Sequence, residues 1–226
     1  MRCWAYIDGF NLYHGACKRL SCKWVNLLDL CQSLRPNDTV ERVKYFTAMV
    51  EQRAGAPDQR RNQRTYWRAL KTLGCVERIE GYFTRWEKYM PLCSSVYALE
   101  AQEAAGVDVC GQKPKMAQVL RCEEKGSDVN LAAHLVHDAN QRDDTKTFDV
   151  ALVITTDEDL AGAINLVTKD VGKPVYLCRP NPTARTRRLD QAATGAFDLS
   201  VKLLRAAVFE DQLIDSRGTI IKPATW

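Results

Sequence analysis

The sequence lacks any run of about 18 apolar residues, the length that a helix needs to cross a bilayer. Its first residues also lack the charged and then apolar pattern of a signal peptide, because Met1 and Arg2 lead directly into a short apolar run. These two absences argue against a helical membrane protein and against a secreted one. We therefore expect a soluble protein of the cytoplasm.

The motifs of several catalytic classes are missing as well. The three histidines, His14, His134 and His137, have none of the spacings that are typical of a metal site or a catalytic triad. No P-loop is present, and no D-x-D-x-T/V motif follows the first predicted strand. The sequence therefore argues against histidine catalysis and against a phosphatase or nucleotide hydrolase.

The nine cysteines form no C-x-x-C pair. Their odd number and irregular spacing favour free thiols that pack as small apolar side chains in a reducing cytosol. The alternative is a zinc site made of Cys93, Cys110 and Cys122, since these three flank the least regular part of the sequence.

What is present is an alternation of strand and helix patterns. With 226 residues, of which 46% are hydrophobic, the chain fits one domain. The predicted strands are 2–7, 40–50, 75–83, 148–155 and 174–178, and the predicted helices are 11–18, 24–34, 58–73, 128–139, 160–169 and 199–208. This alternation indicates an α/β fold with a mostly parallel sheet covered on both faces. We expect an irregular insertion at about 84–118 and a tail at about 209–226.

Four aspartates fall at one predicted edge of this sheet. Asp8 follows the first strand, and Asp157 and Asp159 follow the fourth. Asp128 begins the fourth predicted helix, after a loop that reaches the same edge. In open α/β sheets, ligands bind beyond the carboxyl ends of the strands, so these carboxylates are the candidates for chemistry.

Clustered carboxylates repel one another unless a cation neutralises them. Mg²⁺ and Mn²⁺ prefer oxygen ligands, and they can activate water for attack on a phosphodiester. The aspartates therefore predict a Mg²⁺ or Mn²⁺ centre, in which Asn11 would hold Asp8 or a phosphate. The alternative for each aspartate is ordinary capping, since an aspartate after a strand often accepts hydrogen bonds from the first turn of the next helix.

Three motifs contain these acids. They are Y-I-D-G-F-N-L-Y at residues 6–13, E-E-K-G-S-D-V-N-L-A at residues 123–132 and V-I-T-T-D-E-D-L at residues 153–160. In this order they resemble the motifs of NYN-domain proteins, the LabA-like branch (DUF88) of the PIN-like nucleases. The ending G-T-I-I-K-P-A-T-W is similar to the tail of bacterial members, so the resemblance spans nearly the whole chain.

The resemblance implies a PIN-like Rossmannoid three-layer sandwich and a metal-dependent nuclease, an endoribonuclease that hydrolyses single-stranded RNA. It assigns the metal centre to Asp8, Asp128, Asp157 and Asp159, with Asn11 supporting catalysis. The alternative function is a non-catalytic RNA-binding or regulatory module of the same fold.

Two basic runs fit an RNA partner. Basic side chains along one face of a predicted helix and in a later loop would contact phosphates at the cleft. The residues assigned to RNA binding are Arg60, Arg64, Arg68, Lys71, Lys125, Arg185, Arg187 and Arg188. A solvated surface is the alternative explanation of such runs. A homodimer is also compatible with the sequence, although no residue argues for it.

Overall fold

Six parallel strands form the central sheet of the computed structural model, which describes residues 1–51 and 55–226. The strands of the chain are β1 (Arg2–Asp8), β2 (Thr39–Thr47), β3 (Val76–Glu80), β4 (Tyr82–Pro91), β5 (Met116–Lys125), β6 (Val150–Ile154), β7 (Val175–Arg179), β8 (Gly195–Asp198), β9 (Gln212–Asp215) and β10 (Gly218–Ile221). In the central sheet the order is β3-β2-β1-β6-β7-β8, and neighbours are parallel. The winding reverses between β1 and β6, where a crevice opens beyond the carboxyl ends of the strands.

Helices connect the strands of this sheet. The α-helices of the described residues are α1 (Gly9–Leu12), α2 (Leu27–Leu34), α3 (Gln59–Lys71), α4 (Cys93–Ala104), α5 (Ser127–Ala139), α6 (Ala161–Asn165), α7 (Arg187–Ala192) and α8 (Val201–Ala206). Two of them continue as wider π-helical turns, α1 through Tyr13–Cys17 and α6 through Leu166–Val171. Short 3₁₀ turns lie at Asp144–Lys146 and at Glu158–Leu160.

β1 lies at the centre because its side chains are apolar on both faces. Residues 3–7 are each at most 2% exposed. Alternate side chains of a strand point to opposite faces, so Ala5 and Ile7 join the core that contains α2 and α3, whereas Trp4 and Tyr6 join the core that contains α5 and α6. Two cores on either side of one sheet make a three-layer α/β sandwich. The predicted fold class is confirmed.

The five predicted strands are all present in the central sheet, and the sixth strand is the one that the sequence does not reveal. β8 has only four residues and no alternating pattern. The helix predicted at 24–34 begins at Leu27, because Val25 pairs with Val208 and the side chain of Asn26 caps the first turn. The contacts of Val25 and Asn26 therefore set the start of this helix, which periodicity alone does not locate.

Residues 83–124 form a separate compact unit, called here the arm. The prediction of an irregular insertion at about 84–118 is wrong about its structure, because β4 and β5 pair with each other and α4 follows β4 in the chain. Sequence periodicity reports a strand when one of its faces is buried. No residue of β4 or β5 within the arm is buried, which removes that signal.

The predicted tail at about 209–226 also contains regular structure. β9 and β10 pair as an antiparallel hairpin. Arg68 of α3 donates to Asp215 of β9, with Nε 2.6 Å from Oδ2. The indole of Trp226 packs on the ring of Tyr66, with centroids 5.6 Å apart. These contacts fix the tail against α3.

Among the residues that the structure describes, every helix is too short or too polar to span a bilayer.

The nine cysteines, which all lie in the described part of the chain, form no disulfide. Cys93 and Cys110 are exposed and Cys122 is half-buried, and no group of three metal-binding side chains occurs in the described part of the chain. The zinc alternative is thus unsupported. Burial raises the pKa of Cys3 and of Cys178 to about 12, so these thiols stay neutral and pack as apolar groups.

A buried ion pair joins β2 to α5. Lys44 Nζ lies 2.6 Å from Asp138 Oδ2, and the hydroxyl of Tyr6 donates to the same oxygen at 2.7 Å. Lys44 and Asp138 are each 5% exposed, so water contributes little to either charge. Burial raises the pKa of Tyr6, which keeps its phenol protonated as a donor. Each member of this group therefore depends on the others.

Asp138→Ala should lower the free energy of unfolding by about 3–5 kcal/mol, because it leaves a buried lysine ammonium without its partner. Glu80→Ala is the matched control. It breaks the exposed Arg78–Glu80 pair and should cost at most about 1 kcal/mol. Urea denaturation followed by circular dichroism measures both changes. Equal losses would contradict the role given to the buried pair.

Candidate functional site

The crevice between β1 and β6 holds a polar network around Asp8. This carboxylate is 2% exposed. Its Oδ1 accepts a hydrogen bond from the backbone N of Asn11 at 2.9 Å. Its Oδ2 accepts from the side-chain amide of Asn11 and, at 3.0 Å, from the hydroxyl of Thr155. Asp8 thus caps α1 and links it to the end of β6, and the amide of Asn11 donates to the Asp8 carboxylate. A catalytic role for Asn11 stays a prediction.

The residues after β6 complete the network. Thr156 donates to Asn11 Oδ1 through its hydroxyl and, at 3.3 Å, through its backbone N. The backbone N of Asp157 donates to the hydroxyl oxygen of Thr155 at 3.1 Å. The carboxylate of Asp157 accepts from the backbone N of Asp159 at 3.0 Å and so caps the following 3₁₀ turn.

The pKa of Asp8 is raised above its ordinary value of 3.8. Burial is the main cause, and the nearby charge of Asp157 acts in the same direction. The hydrogen bonds from Asn11 and Thr155 oppose the shift, because they stabilise the charged form. Ionisation of Asp8 therefore costs more free energy in the folded chain than it does in water.

The predicted Mg²⁺ or Mn²⁺ centre is wrong. In residues 1–51 and 55–226, no three His, Cys, Asp or Glu side chains are grouped so that they can hold a metal ion. The physical reason is that the oxygens of Asp8 and an oxygen of Asp157 accept hydrogen bonds from the chain itself, as capping requires. The groups that bind the carboxylate of Asp8 are Asn11 and Thr155. The other two predicted ligands lie in the first turns of helices, Asp128 in α5 and Asp159 in the 3₁₀ turn after β6.

The basic residues assigned to RNA binding lie in three places: on α3, at the end of β5, and in and just before the first turn of α7. Arg68 is engaged within the chain, because it donates to the carboxylate of Asp215 and to the carbonyl of Gly218. The exposed members are Arg60, Arg64, Lys71, Lys125, Arg185, Arg187 and Arg188. Their exposure also fits a solvated surface, and RNA as a partner stays a prediction.

A pocket lies beside the Asp8 network, at the carboxyl ends of β1 and β2. Its enclosed volume is about 80 Å³. The lining residues are Gly9, Phe10, Leu12, Tyr13, His14, Cys17, Lys23, Tyr45, Thr47, Val50, Gln59, Gln63, Tyr66 and Trp226. Most of them are aromatic or apolar, and the π-helical turn Tyr13–Cys17 supplies three. Such turns are frequent at functional sites, and α/β sheets bind ligands at this edge.

The ionisable side chains of the pocket differ in their charge. Burial raises the pKa of Tyr45 and of Tyr66, so both remain neutral phenols at physiological pH. Burial also raises the pKa of Cys17 to about 12. Lys23, by contrast, carries an ammonium whose contact with the carbonyl of Thr225 is long, at 3.5 Å. The pocket therefore presents aromatic walls with a lysine cation at one side.

Phe10 and His14 connect the pocket to the Asp8 network. Their rings stack with centroids 6.5 Å apart and an interplanar angle of 15°. Both residues line the pocket, and both also line a shallow groove that includes Asn11 and Thr156 of the network. Pocket and crevice thus share one wall.

The turn after β1 does not fit the pyrophosphate of a dinucleotide cofactor. A Cβ at Gly9 would lie 2.7 Å from the carbonyl of Phe46 and from the ring of Tyr45, so this glycine allows α1 to approach β2 closely. The turn lacks the G-x-G-x-x-G pattern. The carboxylates of Asp8 and Asp157 also stand at the helix starts that would receive phosphates, where like charges repel.

Comparisons with known proteins give a curated relative and a solved structure of similar fold. The relative is 6-hydroxy-3-succinoylpyridine 3-monooxygenase HspA of Pseudomonas putida (strain DSM 28022 / S16), which is 28% identical in an alignment of 244 positions. The alignment covers 98% of this chain and 74% of the relative. The structure is that of the protein of unknown function VPA0982 from Vibrio parahaemolyticus RIMD 2210633. It has a TM-score of 0.52 and 12% identity, and it covers 88% of this chain and 93% of its own.

No protein-family profile matches this chain. The likeness to VPA0982 concerns the fold alone. The likeness to a monooxygenase overturns the predicted metal-dependent ribonuclease and also its alternative, the non-catalytic RNA-binding module. Membership of the NYN-domain proteins stays a prediction.

Sequence reasoning located the crevice but not the pocket. The aromatic walls come from Tyr13, Tyr45 and Tyr66, which belong to three separate elements. Of these, Tyr45 alone carries a signal, because it lies near the carboxyl end of a predicted strand, at the same edge as Asp8. No pattern in the sequence brings Trp226 against Tyr66.

The raised pKa of Asp8 predicts a pH dependence. Because the folded chain holds this proton to a higher pH than the unfolded chain does, the stability of wild type relative to Asp8→Asn should fall as pH rises from about 4 towards neutrality. Asp149→Asn is the control. The pKa of Asp149 is lowered by its bonds to Arg2, so its contribution changes below 3.8 and is constant in that window. Urea titrations at several pH values measure both, and a flat difference for Asp8→Asn would refute the shift.

Proposed function

We propose that this chain is an oxidoreductase that hydroxylates a small aromatic substrate, with one oxygen atom taken from dioxygen. The proposal rests on one observation above all: the likeness to a curated monooxygenase extends over 98% of the chain. The structure supports it through a pocket with aromatic walls at the edge of the sheet where α/β proteins bind ligands.

The substrate class follows from the pocket and from the relative's name. The relative acts on a hydroxypyridine with a succinoyl group, which is a planar ring that carries a carboxylate. Tyr13, Tyr45 and Tyr66 offer rings against which such a ring can pack. The ammonium of Lys23 can pair with the carboxylate. The volume of about 80 Å³ is roughly half of the 150 Å³ that holds benzene in an apolar cavity, so the pocket encloses only part of a ring and the rest of the substrate lies outside it.

The reaction needs dioxygen and an external two-electron donor. At the ring carbon that is attacked, a new C–O bond forms with one oxygen atom. Where that carbon carries hydrogen, the hydrogen leaves as a proton. Where it carries an acyl group, as at position 3 of the substrate that the relative's name gives, the bond to the acyl carbon breaks and water adds to that carbon, so that the group leaves as a carboxylic acid. The second oxygen atom leaves as water after taking up two electrons and two protons. A reduced nicotinamide or flavin is the class of donor that supplies such electrons. Since the turn after β1 does not fit a pyrophosphate, we assign no residues to a bound dinucleotide.

The chain's own part is to bind and orient the ring and to move a proton. Removal of the proton from a ring hydroxyl raises the electron density of the ring at the carbons that an oxygen attacks. His14 belongs to the pocket lining, and a neutral imidazole has one ring nitrogen that can accept a proton. This role of a single side chain requires none of the metal-site or triad spacings that the three histidines lack. We assign it the role of proton acceptor. The neutral phenols of Tyr45 and Tyr66 can donate hydrogen bonds.

A reducing compartment suits this chain. Within the described residues no disulfide joins the nine cysteines, and Cys93 and Cys110 are exposed. Disulfides form in oxidising compartments and are rare in the cytosol. We propose that the protein acts in the cytoplasm.

The direct test is incubation with 6-hydroxy-3-succinoylpyridine under ¹⁸O₂, with NADH, NADPH or chemically reduced flavin as donor. We expect a product that contains one ¹⁸O atom, seen by mass spectrometry, and oxygen uptake that depends on substrate. Absence of labelled product with every donor, and with hydroxypyridines that differ in their acid side chain, would reject the proposal.

Lys23→Met should raise KM for the carboxylate substrate by about 10–100-fold and leave kcat within about threefold, because a charged hydrogen bond that serves binding alone is lost. Lys18→Met is the matched control, since Lys18 is exposed and outside the lining. Steady-state kinetics measure both variants. An unchanged KM, or an equal loss with an analogue that lacks the carboxylate, would show that Lys23 does not bind this group.

A further inference from the structure

The pocket beside the Asp8 network encloses less space than a whole aromatic ring needs. Its volume of about 80 Å³ is close to half of the cavity that holds benzene, roughly 150 Å³. Since the side chains around such a space are closely packed, a ring enters fully only if one wall moves. The lining residues differ in how firmly the rest of the chain holds them, and this difference shows which wall can move.

Tyr66 and Tyr45 are fixed walls of the pocket. The hydroxyl of Tyr66 donates to the carbonyl of Val25 at 2.8 Å. Tyr66 and Tyr45 are 7% and 8% exposed, and their rings meet edge to face with centroids 6.5 Å apart. They belong to α3 and to β2, and both join the same hydrophobic core. Neither ring can turn away without breaking this packing.

Trp226 is held less firmly than these two walls. It lies in residues 223–226, outside every helix and strand, and its neighbour Thr225 is exposed. Two hydrogen bonds to Thr225 are long: the amide of Asn62 donates to its hydroxyl at 3.3 Å, and the ammonium of Lys23 donates to its carbonyl at 3.5 Å. Hydrogen bonds of this length are weak. The segment that carries the indole can therefore move at little cost.

Trp226 also contacts two rings. Its indole lies on the ring of Tyr66, with centroids 5.6 Å apart, and meets Trp24 edge to face at 6.4 Å. An aromatic ligand that packs on Tyr66 replaces the first of these contacts with one of the same kind. Displacement of the indole by such a ligand therefore leaves Tyr66 with an aromatic neighbour.

Lys23 connects this wall to the charge of the ligand. Its ammonium contacts the carbonyl of Thr225, the residue next to Trp226 in the chain. A carboxylate is a stronger acceptor for an ammonium than a carbonyl oxygen is, because both partners are then charged. A ligand carboxylate that binds Lys23 therefore takes the ammonium away from Thr225 and removes one of its two long bonds.

We propose that Trp226 is a specificity-determining residue of this pocket, a movable wall that an aromatic carboxylic acid displaces from Tyr66 when its acid group binds Lys23. The inference rests on the proposed function in one respect, since it takes the pocket as the place where an aromatic acid binds, and it does not depend on the oxidation. Because the pocket is closed in the free chain, the apparent affinity for the acid is reduced by the fraction of chains that are open.

The first test measures binding without reaction, by isothermal titration calorimetry of the whole chain with 6-hydroxy-3-succinoylpyridine, under nitrogen and without an electron donor. Trp226→Ala should lower the dissociation constant about 3–10-fold, because binding no longer breaks the contact between the indole and Tyr66. A wall that packs on the bound ring predicts the opposite, a raised constant. Ile221→Ala is the control, since Ile221 belongs to the same tail, is 63% exposed and lies outside the lining. Its constant should equal that of wild type.

The second test observes the indole itself, by ¹⁹F nuclear magnetic resonance of the chain labelled with 5-fluorotryptophan. The chain has five tryptophans, and the resonance that is missing from Trp226→Phe identifies Trp226. Saturation with the acid should move this resonance towards its position in the urea-unfolded chain. An analogue with an alcohol in place of the acid should move it less at equal occupancy, because it does not draw Lys23 from Thr225.

Circular dichroism checks that each variant is folded, and Trp226→Leu, with the same expected direction, replaces Trp226→Ala if that variant unfolds. Three results would each overturn the proposal: an unchanged or raised constant in the folded variant, a Trp226 resonance that does not move at saturation, or no binding by wild type and variant alike. If the acid binds with the expected changes but is never oxidised, the proposed function fails and the movable wall stands.

Discussion

The carboxylate of Asp8 joins two central strands that are 147 residues apart in the chain, through its hydrogen bond from Thr155. The same carboxylate caps α1, so one buried group fixes both the start of that helix and its position against β6. Gly9 then lets α1 approach Tyr45 of β2 closely. Everything that lines the crevice side of the pocket, from Phe10 to Cys17, takes its position from these constraints. Burying a carboxylate costs free energy, and its donors offset that cost.

Most of the central sheet could be predicted because its strands are buried on both faces. The run at Val150–Ile154 is wholly buried, and an apolar run between turn residues reports such a strand directly. The arm could not be predicted in the same way, since a ribbon without a buried face has no periodicity to detect. β8 was not predicted for another reason. Its pairing with β7 is a tertiary contact of only four residues, and nothing local requires it.

For the candidate site, the sequence predicted where the aspartates lie but not which groups contact them. Topology correctly placed Asp8 and Asp157 at one edge, because the ends of parallel strands meet there. It did not say which donors would meet them. An aspartate that binds a cation and an aspartate that accepts hydrogen bonds look the same in sequence, and the choice depends on partners such as Thr155 that only the fold supplies. The pocket is a still harder case, since Tyr13, Tyr45 and Tyr66 have no shared spacing.

The distribution of thiols has a practical consequence for spectroscopy. Cys93 and Cys110 are exposed and belong to the arm, whereas Cys3, Cys17 and Cys178 are buried with pKa values raised to about 12. Maleimide reagents react with accessible thiolates, so they discriminate between these two groups. Cys93 and Cys110 can therefore carry a fluorophore or a spin label on the arm of the unaltered protein. Cys3, Cys17 and Cys178, in the layers around the sheet, should stay unlabelled.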